Sequence, residues 1–145
     1  MLPDWLFRLA LTIGIILLGW TAARFLQAVI LRQAKKVSRQ IEGWAPGSPA
    51  IVYFTTPDCA ACKTTQRPAL NRVKEKLGGR LQVIEINALE KPDLAQQWGV
   101  LSVPTTFILD AQGSPRQVNY GVTLADKLQE QIRVLYPEVR SERQR

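Results

Sequence analysis

The chain opens with an apolar run that has no polar face. Residues 9–23 carry no charge, and residues 5–25 extend the stretch to twenty-one positions, about 31 Å at the α-helical rise and enough to cross a bilayer. A buried helix of a water-soluble domain would show a polar side somewhere in that run. Beyond it the pattern changes: Phe25, Leu26, Val29, Ile30, Val37 and Ile41 are interspersed with cations, which predicts a basic amphipathic continuation of the helix lying on the membrane surface. Trp44-Ala45-Pro46-Gly47-Ser48-Pro49 then breaks the helix and predicts a short, stiff linker.

From Ala50 the periodicity is that of a folded α/β domain. Ala50-Ile51-Val52-Tyr53-Phe54 is the apolar, β-branched and aromatic run of a strand buried on both faces. Thr55-Thr56-Pro57-Asp58 supplies a breaker and an N-cap, and a helix starts near Cys59 with Leu70, Val73 and Leu77 as its apolar stripe. Pro68 should kink this helix partway, and Gly78-Gly79 stops it. Residues 81–86 form a second strand and 92–98 a short helix ending at Gly99, a β-α-β unit whose right-handed crossover makes the two strands parallel. Thr105-Thr106-Phe107-Ile108-Leu109, the turn Asp110-Ala111-Gln112-Gly113 and residues 116–120 predict an antiparallel hairpin. Thr123 caps a last helix, with Asp126 three residues on and Leu124, Leu128, Ile132 and Leu135 facing inward. Three parts follow: a transmembrane anchor at 1–31, a basic juxtamembrane helix with its Pro/Gly linker at 32–49, and a globular domain at 50–145.

Charge sharpens the first of these. The formal net charge is +7, of which residues 1–42 hold six Lys/Arg against two Asp/Glu, and residues 43–145 thirteen against ten. The basic excess is densest beside the apolar run, where it suits lipid headgroups rather than nucleic acid. The globular part shows neither a cationic face nor interleaved base-stacking aromatics, so no nucleic-acid partner is expected. Trp5 and Trp20 sit where interfacial anchors would. A cleaved signal peptide is the rival, with Thr21-Ala22-Ala23 as its cleavage site, but the single early Arg8 is offset by Asp4 and apolar character resumes after Arg24. A retained single-pass anchor in contact with membrane lipid is the expectation. Arg8 precedes the span, whereas Arg24, Arg32, Lys35, Lys36 and Arg39 follow it. That asymmetry places the domain in the cytoplasm, export being the alternative.

The chain has no histidine, so Ser-His and Cys-His catalysis are excluded. About 100 residues follow Gly43, enough for a core without covalent staples, so the two cysteines are not needed for that purpose. Cys59-Ala60-Ala61-Cys62 falls where the first strand ends and the helix begins. A cysteine there faces unpaired backbone N–H groups and the positive end of the helix dipole, both of which favour the thiolate. Cys59 is the candidate nucleophile and Cys62, one turn further in, the candidate resolving thiol. The other readings are zinc, which two cysteines could ligate only by dimerising; copper transfer by soft thiolates; a structural disulfide, whose loop is too small to add much stability; and inert buried thiols. No metal and no cofactor beyond the cysteine pair are expected.

These features in this order, ending in Gly99-Val100-Leu101-Ser102-Val103-Pro104-Thr105-Thr106-Phe107, resemble the thioredoxin family over residues 48–136. The resemblance implies a thioredoxin-like fold, a four-stranded mixed sheet flanked by helices. The sheet is trimmed because the N-terminal strand and helix of a full thioredoxin have no counterpart in the pattern. It also implies a cis Val103-Pro104 bond facing the cysteines, with the Val103 backbone pairing to substrate as an added strand. The implied activity is protein thiol–disulfide exchange, with protein disulfides or dithiols as substrates, an upstream electron donor or acceptor as partner, and reduction favoured. The alternative is a redox-sensing or partner-binding module with little turnover. The family's Trp-Cys-Gly-Pro-Cys is replaced here by Asp58-Cys59-Ala60-Ala61-Cys62, and the acidic neighbour opposes thiolate formation. Its buried Asp and Lys fall at Tyr53 and Val83, leaving water or Glu85 to take the Cys62 proton. Lys63 is a solvated helix residue that also favours a nearby thiolate.

Overall fold

The computed structural model describes residues 4–37 and 41–136, so Arg39, residues 1–3 of the anchor assignment and residues 137–145 of the domain assignment lie outside it. Helix α1 spans Asp4–Val37, β1 Ala50–Thr55, α2 Arg67–Leu77, β2 Gln82–Asn87, α3 Pro92–Gln97, β3 Thr105–Leu109, β4 Pro115–Tyr120 and α4 Ala125–Leu135. The strands form one four-stranded sheet in the order β2-β1-β3-β4, with β1 parallel to β2 and antiparallel to β3, and β3 antiparallel to β4. This is the predicted mixed α/β sheet.

The inner strands explain the unbroken apolar runs. Every residue of β1 and β3 is buried, because helices cover both faces. Ala50, Val52, Phe54, Phe107 and Leu109 point to one face with Trp98, while Ile51, Tyr53 and Ile108 point to the other with Leu70, Val73, Leu128 and Ile132. On the first face Phe54, Trp98 and Phe107 meet edge-on or tilted, with ring centroids 4.9–6.0 Å apart, the arrangement their quadrupoles favour. Asp110 builds the hairpin turn, its carboxylate accepting the N–H groups of Gln112 and Ser114 and pairing with Arg116 Nε at 2.6 Å.

Three expectations change. The stripe in the second half of α1 is covered in part by the domain itself: Ile30 and Ala34, with Ile41 beyond the helix, are buried in the apolar core beside α3 and β4, whereas Phe25, Leu26 and Val29 stay exposed. An amphipathic stripe records that a surface must be covered and not by what. The end of α1 thereby supplies an N-terminal helix. The 44–49 segment, expected as a short, stiff linker, is tied to the domain along its length. Trp44 lies over Gly113, Gln82 exchanges hydrogen bonds with both backbone groups of Ala45, and Gly47 N–H donates to Ala111 O at 2.9 Å.

Thr123 does not cap α4. Leu124 holds the N-cap position without a side-chain bond, because both backbone polar groups of Thr123 are engaged by Gln66. Leu124 is 62 % exposed rather than facing inward.

The stretch Arg8–Lys36 of α1 is long and apolar enough to cross a membrane, by length and composition. Its large side chains from Leu9 to Leu26 are exposed. Thr12 and Thr21 return their hydroxyls to the carbonyls of Leu9 and Leu18 at 2.8 and 2.9 Å, which satisfies the polar groups within that run. Arg24 lies 5.2 Å over the Trp20 ring, a cation–π contact.

Candidate functional site

β1 runs toward the site and delivers the chain into the turn at Thr56–Asp58. Cys59 N–H donates to Thr56 O at 3.2 Å, and the first helical residue is Ala60. Among the described residues Asp58 makes no capping hydrogen bond. The Cys62 N–H instead donates to Cys59 Sγ at 3.2 Å, so the sulfur occupies the place of an N-cap acceptor. Cys59 is partly exposed and Cys62 fully buried. Their Cα atoms are 5.2 Å apart and their sulfurs are joined in a disulfide. Cys59 thus lies partly open to solvent at the helix start, with Cys62 shielded behind it.

The helix carrying them is not uniform. Cys62–Gln66 is a single π-helical turn in which Arg67 N–H reaches Cys62 O, before α2 begins with Pro68 in its first turn. Proline has no N–H to give the carbonyl four residues back and its ring crowds that carbonyl. The ladder widens by one residue at that turn. The interruption of regular α-helix thus lies in the turn before Pro68, at Cys62–Gln66.

That turn positions Gln66, which the sequence reasoning missed. It is fully buried, its Nε2 donating to Thr123 O at 3.1 Å and its Oε1 accepting Thr123 N–H at 2.8 Å. A long-range clamp of this kind leaves no local signal except a polar residue four positions from Cys62 on the same helix face. Trp98 was read only as the end of a short helix. It is fully buried and fixes the start of the segment leading to Pro104.

Val103 and Pro104 enter from the neighbouring strand. Phe54 pairs with Thr105 across β1 and β3, so the turn after β1 and the segment before β3 lie at one end of the sheet. The Val103–Pro104 bond is cis, Pro104 is buried, and Val103 packs against both cores. Pro104 O accepts Gly121 N–H at 2.8 Å, and Thr105 Oγ1 donates to Ser102 O at 2.6 Å. The structure therefore gathers Cys59, Cys62, Val103 and Pro104 at one pole.

Their surroundings differ from the resemblance in the places the sequence marked. Tyr53 is buried in the same core as Cys62, and its hydroxyl has no hydrogen-bond partner among the described residues. Burial pushes its phenol above the ordinary value of 10.0. Glu85 lies beside Tyr53 in the sheet, but its carboxylate is taken by Arg67, whose Nε donates to Oε2 at 3.3 Å. Glu85 is thus committed to an exposed ion pair. Val83 packs at the edge of the core. Among the described residues no group of three or more Cys, Asp or Glu side chains is placed to hold a metal ion.

Comparison with known proteins agrees with this geometry. Residues 41–135 match the family model of a thioredoxin-like domain. The chain is 32 % identical over 60 residues to thioredoxin 1 of a Nostoc species, covering 41 % of this chain and 55 % of that protein. Thioredoxin of Bacillus subtilis is 29 % identical over 82 residues, covering 57 % and 77 %. The chain spans about half the length of the first of these relatives. Among solved structures, chloroplastic thioredoxin z superposes with a TM-score of 0.58 at 23 % identity, covering 73 % of this chain and 89 % of that one. A thioredoxin-like protein of Clostridium perfringens gives 0.57 at 26 %, covering 65 % and 75 %.

Proposed function

Because the chain belongs to the thioredoxin-like domain family, we propose that Cys59 and Cys62 carry out thiol–disulfide exchange with protein disulfides, in the reducing direction. The observation that carries this reading is the Cys62 N–H directed at Cys59 Sγ at the start of the helix. Such a donor, with the helix dipole behind it, stabilises a thiolate at Cys59 more than a thiol.

In the dithiol form, the Cys59 thiolate attacks one sulfur of the substrate disulfide. The substrate S–S bond breaks, a mixed disulfide forms, and the displaced substrate thiolate takes a proton from water. Cys62 then loses its proton and attacks Cys59 Sγ. The mixed disulfide breaks, the second substrate thiolate leaves, and Cys59–Cys62 is oxidised while the substrate has gained two electrons. A donor dithiol returns the pair to its reduced form by the reverse exchange. Val103 offers backbone beside the pair for a substrate strand. With Glu85 bound to Arg67, water is the group left to accept the Cys62 proton.

The first half of α1 acts as a single-pass anchor in this reading. Its support is the exposed apolar run and a helix that continues unbroken past Thr21-Ala22-Ala23 into the domain core. The cation count supports a domain on the cytoplasmic side, where a reducing role fits the thiol pool. The replacement of the family's Asp and Lys by Tyr53 and Val83 favours the rival, a redox-sensing or partner-binding module.

Insulin reduction with dithiothreitol separates the two. The wild-type chain should accelerate it, Cys59→Ser should not, and Cys62→Ser should accumulate a mixed disulfide. Wild-type turnover no faster than Cys59→Ser would leave only the binding module. Reporter fusions after residue 43, with the mature mass of the protein, check side and retention.

A further inference from the structure

The direction in which α1 leaves the domain fixes which pole faces its apolar span. The starts of β1 and β2 and the β3–β4 turn mark the far pole, where Trp44, Ala45 and Gly47 are pinned to Gly113, Gln82 and Ala111. Ile30 lies at the other end. Its Cγ2 is 3.3 Å from where a Gly99 Cβ would stand, and Gly99 O accepts the Tyr120 hydroxyl at 3.1 Å. Tyr120 pairs with Thr105, next to Pro104. With Trp44 at the far pole and Ile30 against Gly99, α1 meets the domain on the side of Gly99 and Tyr120, and residues 9–23 continue the helix away from that contact toward the cysteine pole's side.

There is little room between span and pole. Ala23 to Ile30 is seven residues of continuous helix, about 10 Å, whereas the headgroup layer on each side of a bilayer is about 5–8 Å thick. The pole also carries an apolar rim. Leu101 is 77 % exposed, Leu89 66 %, Leu124 62 % and Val122 42 %, and each lies in a segment at the cysteine end of the sheet. Leu89 follows Ala88, whose N–H donates to Thr55 O. Leu101 precedes Pro104, and Val122 and Leu124 follow the end of β4. Isolated exposed apolar residues are ordinary, but a ring of them at one pole marks a covered surface.

Resting on the exchange and anchor readings above, we propose that the cysteine pole is seated on the surface of the bilayer that α1 crosses. Its substrate is then a cysteine pair held at headgroup depth in an integral membrane protein, not the disulfide of a soluble protein. The occupant of the rim is lipid, because the apolar span and the rim leave the domain on the same side, with only about 10 Å of helix between Ala23 and the Ile30–Gly99 contact.

The test uses the full chain in phosphatidylcholine–phosphatidylglycerol vesicles. In Cys62→Ser the single thiol of Cys59 takes a small fluorophore. A second protein, with both cysteines changed to Ser and Gln112→Cys added, carries the fluorophore at the far pole. Headgroup-nitroxide lipids should quench the Cys59 label at least threefold more than the Gln112 label. The difference should vanish when a four-residue Gly-Ser insert follows Leu26, which frees the domain from its helix. In vesicles, the wild-type chain should reduce an interfacial disulfide in a transmembrane peptide at least tenfold faster than insulin, and the insert should erase that preference. Equal quenching at both poles in vesicles that carry the protein, or a preference for insulin, overturns the proposal. Failure to co-float with vesicles overturns the anchor itself, and lack of insulin turnover in detergent overturns the exchange reading and its substrate, the quenching still deciding orientation.

Discussion

The two faces of the sheet are built from the same inner strands yet serve different ends. One face packs Phe54, Phe107 and Trp98 against α3 and the end of α1. The other holds Cys62 and Tyr53 beneath α2 and α4, with Gln66 buried alongside and Asn119 paired to Gln131 by two hydrogen bonds of 2.8 and 2.9 Å. The first face stabilises through area and shape alone, so it can accept a helix from outside the globular region. The second buries polar groups, of which Gln66 and Asn119 are matched and the Tyr53 hydroxyl is not; losing a partner there costs stability, and the matched pairs define one arrangement around the cysteines.

Substitutions can break this contrast in order of size. Phe107→Ala, on the apolar face, should cost about 3–5 kcal/mol, read by denaturant unfolding, while the folded fraction keeps insulin turnover within about threefold of wild type; a larger loss of turnover would mean that the faces are not separable. Gln66→Ala should cost less, about 2–4 kcal/mol, because both backbone groups of Thr123 lose their partners, and it should also lower turnover by displacing the turn that holds Cys62. Tyr53→Phe should stay within about 1 kcal/mol of neutral near pH 7, since it deletes a buried hydroxyl that has no partner.

The same residue sets a pH dependence. Its folded pKa is raised by burial, so the stability it contributes is fully present below its ordinary value of 10.0 and is lost as pH rises through the folded value. Tyr53→Phe should therefore flatten the alkaline limb of a stability–pH curve; an unchanged limb would assign that limb to other groups. The smallest effect lies at the surface. Lys91 bonds Glu42 Oε2 at 2.6 Å and holds that carboxyl below its ordinary 4.5. Lys91→Ala should return the Glu42 titration to about that value by NMR, with no measurable loss of stability at neutral pH.

Much of this arrangement was legible in the sequence because its signals are local. The β-branched runs, the Asp110–Gly113 turn and Gly78 at positive φ each declare an element through their own neighbours. The place of Cys59 was legible too, since β1 and the helix that follows it are consecutive; Pro104 beside it was implied only by the family resemblance. What escaped is long-range. Gln66 acts on Thr123 across 57 positions, and the capping pattern at Thr123 and Asp126 was present but outcompeted. The stripe of Ile30, Ala34 and Ile41 reads alike whether lipid or a sheet covers it, and only the fold decides.

The docking of Ile30 against Gly99 has a consequence for the order of folding. The contact joins residues 69 positions apart, so a helix made before every strand of the sheet must wait for nearly the whole domain before its apolar end is covered. During that interval Phe54, Trp98 and Phe107 have no lid, and the nascent chain carries two uncovered apolar surfaces at once. Capturing the span in a membrane early would remove one of them and hold the other close to where its partner strands appear.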